Sequence, residues 1–248
     1  MKRVLKGAEP QTLIFYRTAN PDTTWSEMRH DALHQGQEAS KDCRAQSLAD
    51  QYGLCAYCEC KFDPKQPHKF SVEHVYPKSG TTAAGPNWHL DWNNLLAVCD
   101  GGKSQGSPSE PLPDNLSCDA AKGNKSINVS PLAIPAFPNL FELDKGTGHL
   151  KPNPASCARA SIDAAELQAT LDALNLNCER LARQRRQLVI NIDKNKKVLR
   201  LKNYGPQNMS DLLIERYFST QWPEFFTTIR CCLGQIAENH LSSVGYTG

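Results

Sequence analysis

Residues 55 to 79 read CAYCECKFDPKQPHKFSVEHVYPKS, and two features of this stretch decide the fold. Cys55 and Cys58 stand at C-x-x-C spacing, the bite of a zinc knuckle. Further on, Glu73 and His74 are adjacent, so on an ordinary strand they point to opposite faces. A hydrophobic core wants neither side chain. A short hairpin whose geometry is fixed by a metal, rather than by a large core, gives both a use. Residues 54 to 76 accordingly read as two short strands around a Cys-containing turn, with Pro64 and Pro67 in the connection.

A tetrahedral site needs a second pair of thiolates, and Cys99 and Cys118 supply it. Between them, residues 100 to 117 (DGGKSQGSPSEPLPDNLS) carry too much Gly and Pro for regular structure, so this loop can leave and return. The competing reading is four unrelated buried cysteines, because free Cys is among the most buried residue types. Cys60 is a possible substitute for Cys58, but C-E-C spacing suits one metal poorly. Cys43, Cys157, Cys178, Cys231 and Cys232 have no partner pattern and read as core thiols.

The chain has ten cysteines in 248 residues, and the setting determines what they mean. MKRVLKGAEP at the start is basic, but no apolar h-region follows it, and LIFY at 13 to 16 is far too short to span a membrane. A cytoplasmic setting follows as the expectation, where paired cysteines more often bind metal than form disulfides. A net charge of +2 gives no bulk argument for nucleic acid, so any basic footprint has to be local.

Working outward, residues 1 to 20 read as an extended lead-in punctuated by Pro10 and Pro21. Residues 25 to 52 read as helical, with Gly53 as the terminator, and 80 to 87 as a loop. WHLDWNNLLAVC, residues 88 to 99, has the anchors to pack on the hairpin, and Asp119 can open a short helix. Residues 162 to 189 carry a strong amphipathic pattern with a break at Asn175 to Asn177, and 210 to 243 read as two helices around Pro223. The expected class is α+β: an N-terminal, partly helical extension over 1–50, a zinc-stapled centre over 51–138, and a helical C-terminal region over 139–248.

CAYC, EHVYPKS, NNLLAVC and CDAAKGN, taken together, resemble the HNH (ββα-metal) endonucleases. The wide second Cys pair, DWNNLLAVCDGG and LNLNCERLARQRR are similar to the PtuB-type HNH proteins of Septu and certain retron anti-phage systems. The resemblance implies hydrolysis of nucleic-acid phosphodiester bonds. It makes His74 the general base, Glu73 and Asp119 ligands of a catalytic Mg²⁺ or Mn²⁺, and Asn94 the brace behind His74, with Asn93 as the alternative register. It also implies a PtuA-like ATPase partner, and in retrons a reverse transcriptase with its RNA–DNA product. The sequence departs from the family at Asp119, where Asn or His is usual, and in using Glu rather than Asp at 73. The first change makes the site more anionic and favours a hard metal; the second adds one methylene of reach.

Lys122, Lys125 and Lys78 are the candidate phosphate contacts, weighed against an ordinary solvated surface. His68 and His89 read as surface or core-satisfied, His89 with least security because it adjoins the motif. Residues 179 to 202 hold nine Lys or Arg against two acids, which suits a nucleic-acid track, a docking helix or a solvated face. WPEFFTTI, residues 222 to 229, reads as a docking anchor or as part of the protein's own core. DNA and RNA remain equal as substrates, since the motif addresses phosphate rather than the 2′-OH. A zinc-stapled adaptor without catalysis is the rival outside enzymology.

Overall fold

The computed structural model describes residues 1–66, 69–82, 85–104, 110–219 and 222–248. Pro67, His68, part of the loop over 80–87, part of the Gly/Pro-rich loop and two residues of the 210–243 segment therefore lie outside the described residues.

The N-terminal stretch is extended only as far as Pro10. Helix α1 (Gln11–Ala19) follows, correcting the expectation of an extended segment to residue 20. Pro10 lacks an N–H and sits where a helix start does not need one, while its carbonyl accepts from Leu13 and Ile14. The next helical stretch is two helices, α2 (Trp25–His30) and α3 (Gly36–Asp50). A capping box starts α2: Thr24 Oγ1 accepts from the Glu27 N–H, and the Glu27 carboxylate accepts from the Thr24 N–H at 2.8 Å. Beyond α3, Gly53 at φ +71° donates its N–H to the Leu48 carbonyl, which closes the helix end.

Strand β1 (Phe70–His74) pairs antiparallel with β2 (Leu95–Cys99), with Glu73 opposite Leu96 and His74 opposite Leu95. The two strands of the sequence reading are thus not each other's partners. Residues 54 and 61 form only an isolated bridge around the Cys turn, and β1 finds its mate in the later segment. Four residues of β2, Leu95 to Val98, are fully buried, so both faces of this ribbon are covered. Leu95 shares a cluster with α1 to α3 through Leu13, Tyr16, Trp25, Met28, Ala39 and Cys43, while Leu96 and Val98 join the main core. A two-stranded ribbon alone is marginal in water, so this double cover is what stabilises it.

A short helix α4 (Asp119–Lys122) precedes a hairpin of β3 (Phe141–Leu143) and β4 (Leu150–Pro152), which sequence reading missed. Helices α5 (Pro154–Arg159), α6 (Ala164–Ala173), α7 (Glu179–Leu201), α8 (Pro206–Phe218), α9 (Phe226–Leu233) and α10 (Gln235–Ser243) follow. The break between α6 and α7 falls where the asparagines are, and Asn175 sits at φ +44°.

The C-terminal segment holds three helices rather than two, and its aromatic cluster faces inward. Phe225, Phe226 and Ile229 are buried, which corrects the docking-anchor reading of WPEFFTTI. Glu59, in the middle of CEC, accepts from the Thr227 N–H, and the Phe225 N–H donates to the Glu59 carbonyl. The start of α9 is thereby tied to the cysteine turn. No helix among the described residues is long and apolar enough to cross a membrane.

Candidate metal centre and active site

Cys55, Cys58, Cys99 and Cys118 come together, with all four Sγ atoms within 4.8 Å of one another. Separations of 3.8 Å (Cys55–Cys118), 3.6 Å (Cys58–Cys99) and 3.7 Å (Cys99–Cys118) are far too long for disulfides. They match the ~3.8 Å edge of a tetrahedron built on Zn–S bonds near 2.3 Å. Hydrogen bonding from Cys118, Cys55, Cys60 and Cys99 pushes the Cys58 thiol well below its ordinary range. Cys60 itself stands outside the ligand set.

The long loop returns as its glycines require. Gly101 lies at φ +67°, and a Cβ there would meet the Ser117 carbonyl oxygen at 2.2 Å. The Ser117 N–H in turn donates to the Gly101 carbonyl, which closes the loop and delivers Cys118 to Cys99. From α7, the Arg180 guanidinium donates to Ser117 Oγ at 2.7 Å, and that hydroxyl donates to Cys118 Sγ at 3.6 Å. A cation next to four thiolates offsets their charge, and oriented donors of this kind tune a metal centre.

This use of Arg180 changes the reading of the basic helix. Arg180 and Arg185 are buried, Arg183 pairs with Glu110, Arg186 with Glu179, and Lys196 donates to the Cys232 carbonyl. Over half of the nine cations therefore have partners within the chain.

Glu73 and His74 occupy the C-terminal end of β1, both nearly buried. On the ribbon face toward the cysteines, Glu73 Oε1 accepts from Lys122 Nζ at 2.7 Å and from the Tyr57 hydroxyl at 3.5 Å. Burial, followed by the neighbouring Asp119 carboxyl, raises the Glu73 pKa to about 7, with Lys122 pulling the other way. Two neighbouring carboxyls, one buried and one half-buried, form a donor set suited to a hard divalent cation. Among the described residues, the four cysteines are the only set of three or more ligands this compact. Glu73 and Asp119 alone would leave the remaining positions on such an ion to water and phosphate, as Mg²⁺ sites commonly do.

His74 points the other way. Its Nε2 lies 3.1 Å from the His89 carbonyl, which can only accept, so Nε2 carries the proton and Nδ1 keeps its lone pair. The Trp25 ring meets the imidazole edge-on at 5.3 Å. Burial lowers the His74 pKa to about 4, with Lys78, His89 and Lys122 adding to that and the bond to the His89 carbonyl opposing it. The ring is neutral at working pH and can accept a proton without first losing one.

Asn94, of the two adjacent asparagines, is the one that turns inward. Its Nδ2 donates to the Trp88 and Tyr76 carbonyls, and its Oδ1 accepts from the Tyr76 N–H at 2.6 Å. It is fully buried and clamps the chain just past His74, whereas Asn93 is exposed. Lys78 is exposed close enough to His74 to act on its charge, and Lys125 is exposed on the turn after α4.

Lys122 is the clear correction among the lysines. It is 2% exposed and bonds to Glu73 and to the His74 carbonyl at 3.0 Å, so it is an internal ion-pair partner and not a surface phosphate contact. Breaking a buried pair from one side leaves an uncompensated charge, at a cost of about 3–5 kcal/mol. We therefore expect Lys122→Met to lower the urea midpoint sharply, and Glu73→Gln in the same chain to restore part of the loss. An unchanged midpoint with weakened nucleic-acid binding would return Lys122 to the surface role.

Sequence reading missed three participants. His89 was set aside although its carbonyl orients His74, and proximity to the motif was the available signal. Tyr57, inside CAYC, reaches Glu73. Trp25 comes from a helix far away in the chain and gives no sequence signal at all.

No protein-family model matches the chain. The chain is 39% identical, over 249 aligned residues, to the Escherichia coli protein named "Retron Ec83 putative HNH endonuclease". The match covers 93% of this chain and 92% of that one. This chain belongs to the HNH endonuclease family. The cysteine cluster and the Glu73–His74–Asp119 group are therefore parts of an HNH-family protein, and the likeness extends over the helices on both sides as well as the centre.

Proposed function

We propose that the chain is a metal-dependent HNH endonuclease that hydrolyses phosphodiester bonds of nucleic acid. The observation that carries this reading is the site around His74: a neutral imidazole with an oriented Nδ1 lone pair, on a strand whose adjacent residue pairs its carboxyl with Asp119. In this reading Nδ1 of His74 takes the proton of the attacking water. The His89 carbonyl holds the tautomer, and the Asn94 clamp keeps the ring in place. Glu73 and Asp119 would hold a Mg²⁺ or Mn²⁺, which would supply charge neutralisation on the phosphoryl and leaving oxygens. Lys122 fixes the Glu73 carboxylate, while Lys78 and Lys125 meet backbone phosphates. The four cysteines hold a structural zinc that sets the strand geometry.

The centre over 51–138 forms the ββα-metal unit, and the extensions over 1–50 and 139–248 serve assembly. The PtuB-like wording and the retron in the relative's name support a nuclease of an anti-phage complex. Its partners would be a PtuA-like ATPase and a reverse transcriptase with its RNA–DNA product.

Purified protein, with and without the ATPase, is to be incubated with plasmid DNA and with total tRNA in Mg²⁺, Mn²⁺ or EDTA. Cleavage of either polymer that needs the divalent ion and stops in EDTA is the expected result. Intact DNA and RNA in every arm would leave the zinc-stapled adaptor as the better description.

A further inference from the structure

A cleft of about 340 Å³ opens between α2, α3 and β1, lined by Trp25, Arg29, Ser40, Arg44 and residues 70 to 72. Its volume lies within the about 300–1,000 Å³ typical of ligand clefts. Among the described residues the lining contains two arginines and no carboxylate. The Arg44 guanidinium carbon sits 3.7 Å from the centroid of the Phe70 ring, so that side chain is supported by stacking. Arg29 is carried by α2, which its capping box and the buried Trp25 and Met28 hold in place. Burial lowers the Arg44 pKa, and the like charge of Arg29 adds to the effect. An anion placed between two such cations relieves their repulsion and pairs with both.

The cleft lies on the His74 face of the ribbon. Phe70, Val72 and His74 alternate along β1 and share one face. Trp25 belongs to both places, since it lines the cleft and meets the His74 ring. With a rise of about 3.3 Å per residue, Phe70 and Val72 stand ~7–13 Å from His74 along the strand. At an axial rise of about 3.4 Å per nucleotide, a substrate strand would cross that span within a few nucleotides.

We propose that Arg29 and Arg44 form a phosphate-binding subsite that grips the substrate backbone within a few nucleotides of the bond being cut. The position relative to a scissile bond rests on the nuclease reading, whereas the grip rests on the cleft alone. Backbone contacts position a strand without reading its sequence, so the subsite contributes affinity and register rather than base preference.

The test uses the full-length chain with His74→Ala, to prevent cleavage, and fluorescence anisotropy with labelled DNA and RNA oligonucleotides across a salt series. Arg29→Gln and Arg44→Gln should each weaken binding about tenfold as a charge-assisted contact is lost. Together they should flatten the slope of log K against log salt by about 0.7–0.9, the contribution of the one phosphate they share. The double Arg→Lys variant should keep most of that slope. Ser71→Glu, an exposed change that leaves packing alone, should weaken binding in the same direction. In the active enzyme the loss should fall mainly on KM. Unchanged affinity and slope in the double Gln variant, for both DNA and RNA, would overturn the subsite, as would a fall in kcat with KM unmoved. Arginine-dependent binding by a chain that never cleaves would overturn the nuclease reading and leave the subsite standing. Absence of any nucleic-acid binding would overturn both.

Discussion

Replacing Cys118 with Ser is expected to unfold the centre of this protein and release one zinc ion per chain. Structural zinc contributes an apparent ~10–16 kcal/mol to small metal domains, while whole domains are stable by only about 5–15 kcal/mol. Loss of the ion therefore exceeds what the rest of the fold can offset. Cys118 is the most exposing choice because several elements meet there. Its Sγ lies near those of Cys55 and Cys99, its N–H donates to the Leu174 carbonyl after α6, and Asp119 begins α4 directly behind it. Its backbone also adopts φ +57°, an unfavourable setting for a residue with a Cβ that persists only when surrounding bonds hold it. Elemental analysis of freshly purified protein should find one zinc per chain, and circular dichroism of the variant should show loss of cooperative unfolding. Protein that carries no zinc, or a Cys118→Ser chain with native stability, would rule out the structural-zinc assignment. Cys60→Ser makes the comparison sharper, since that thiol is outside the ligand set and its loss should leave the zinc in place.

His74→Ala is expected to lower cleavage by about 10²–10⁴-fold, the usual contribution of a positioned general base. The fold should survive. The lost imidazole leaves the His89 carbonyl without its donor and a small gap beside Trp25, a cost of about 1–3 kcal/mol. Zinc content should therefore equal that of the wild type, which separates this variant from Cys118→Ser. A single-turnover rate measured with saturating oligonucleotide isolates the chemical step from binding. Wild-type turnover in His74→Ala, with zinc intact, would remove His74 from the base role and favour a water activated elsewhere.

Much of the site was legible because its chemistry restricts the residue types. Four thiols at these spacings have few uses, and the returning loop between Cys99 and Cys118 was readable from its Gly and Pro. The amphipathic pattern and the asparagine break gave α6 and α7. Other elements carried no comparable pattern. LIFY resembles a strand, but Pro10 and burial of Leu13 and Tyr16 against α3 make it helical. The strands of the β3–β4 hairpin are only three residues each, too short for alternation to register. The basic run in α7 looked like one surface, yet Arg180 and Arg185 turn inward because the cysteine centre and the loop carbonyls need donors there.

The sequence by itself supplied the candidate ligand types and their order along the chain: two close cysteines, the Glu–His pair, an asparagine pair, then two more cysteines with a carboxylate and a lysine after them. These follow from side-chain chemistry and short spacings, which do not depend on the rest of the fold. Only the tertiary structure decided who faces whom. It paired β1 with β2, turned Lys122 from a surface cation into the buried partner of Glu73, brought Trp25 and the His89 carbonyl onto His74, and opened the arginine-lined cleft beside it. Each of these contacts joins residues distant in the chain, and packing and burial select such contacts only when the whole core closes.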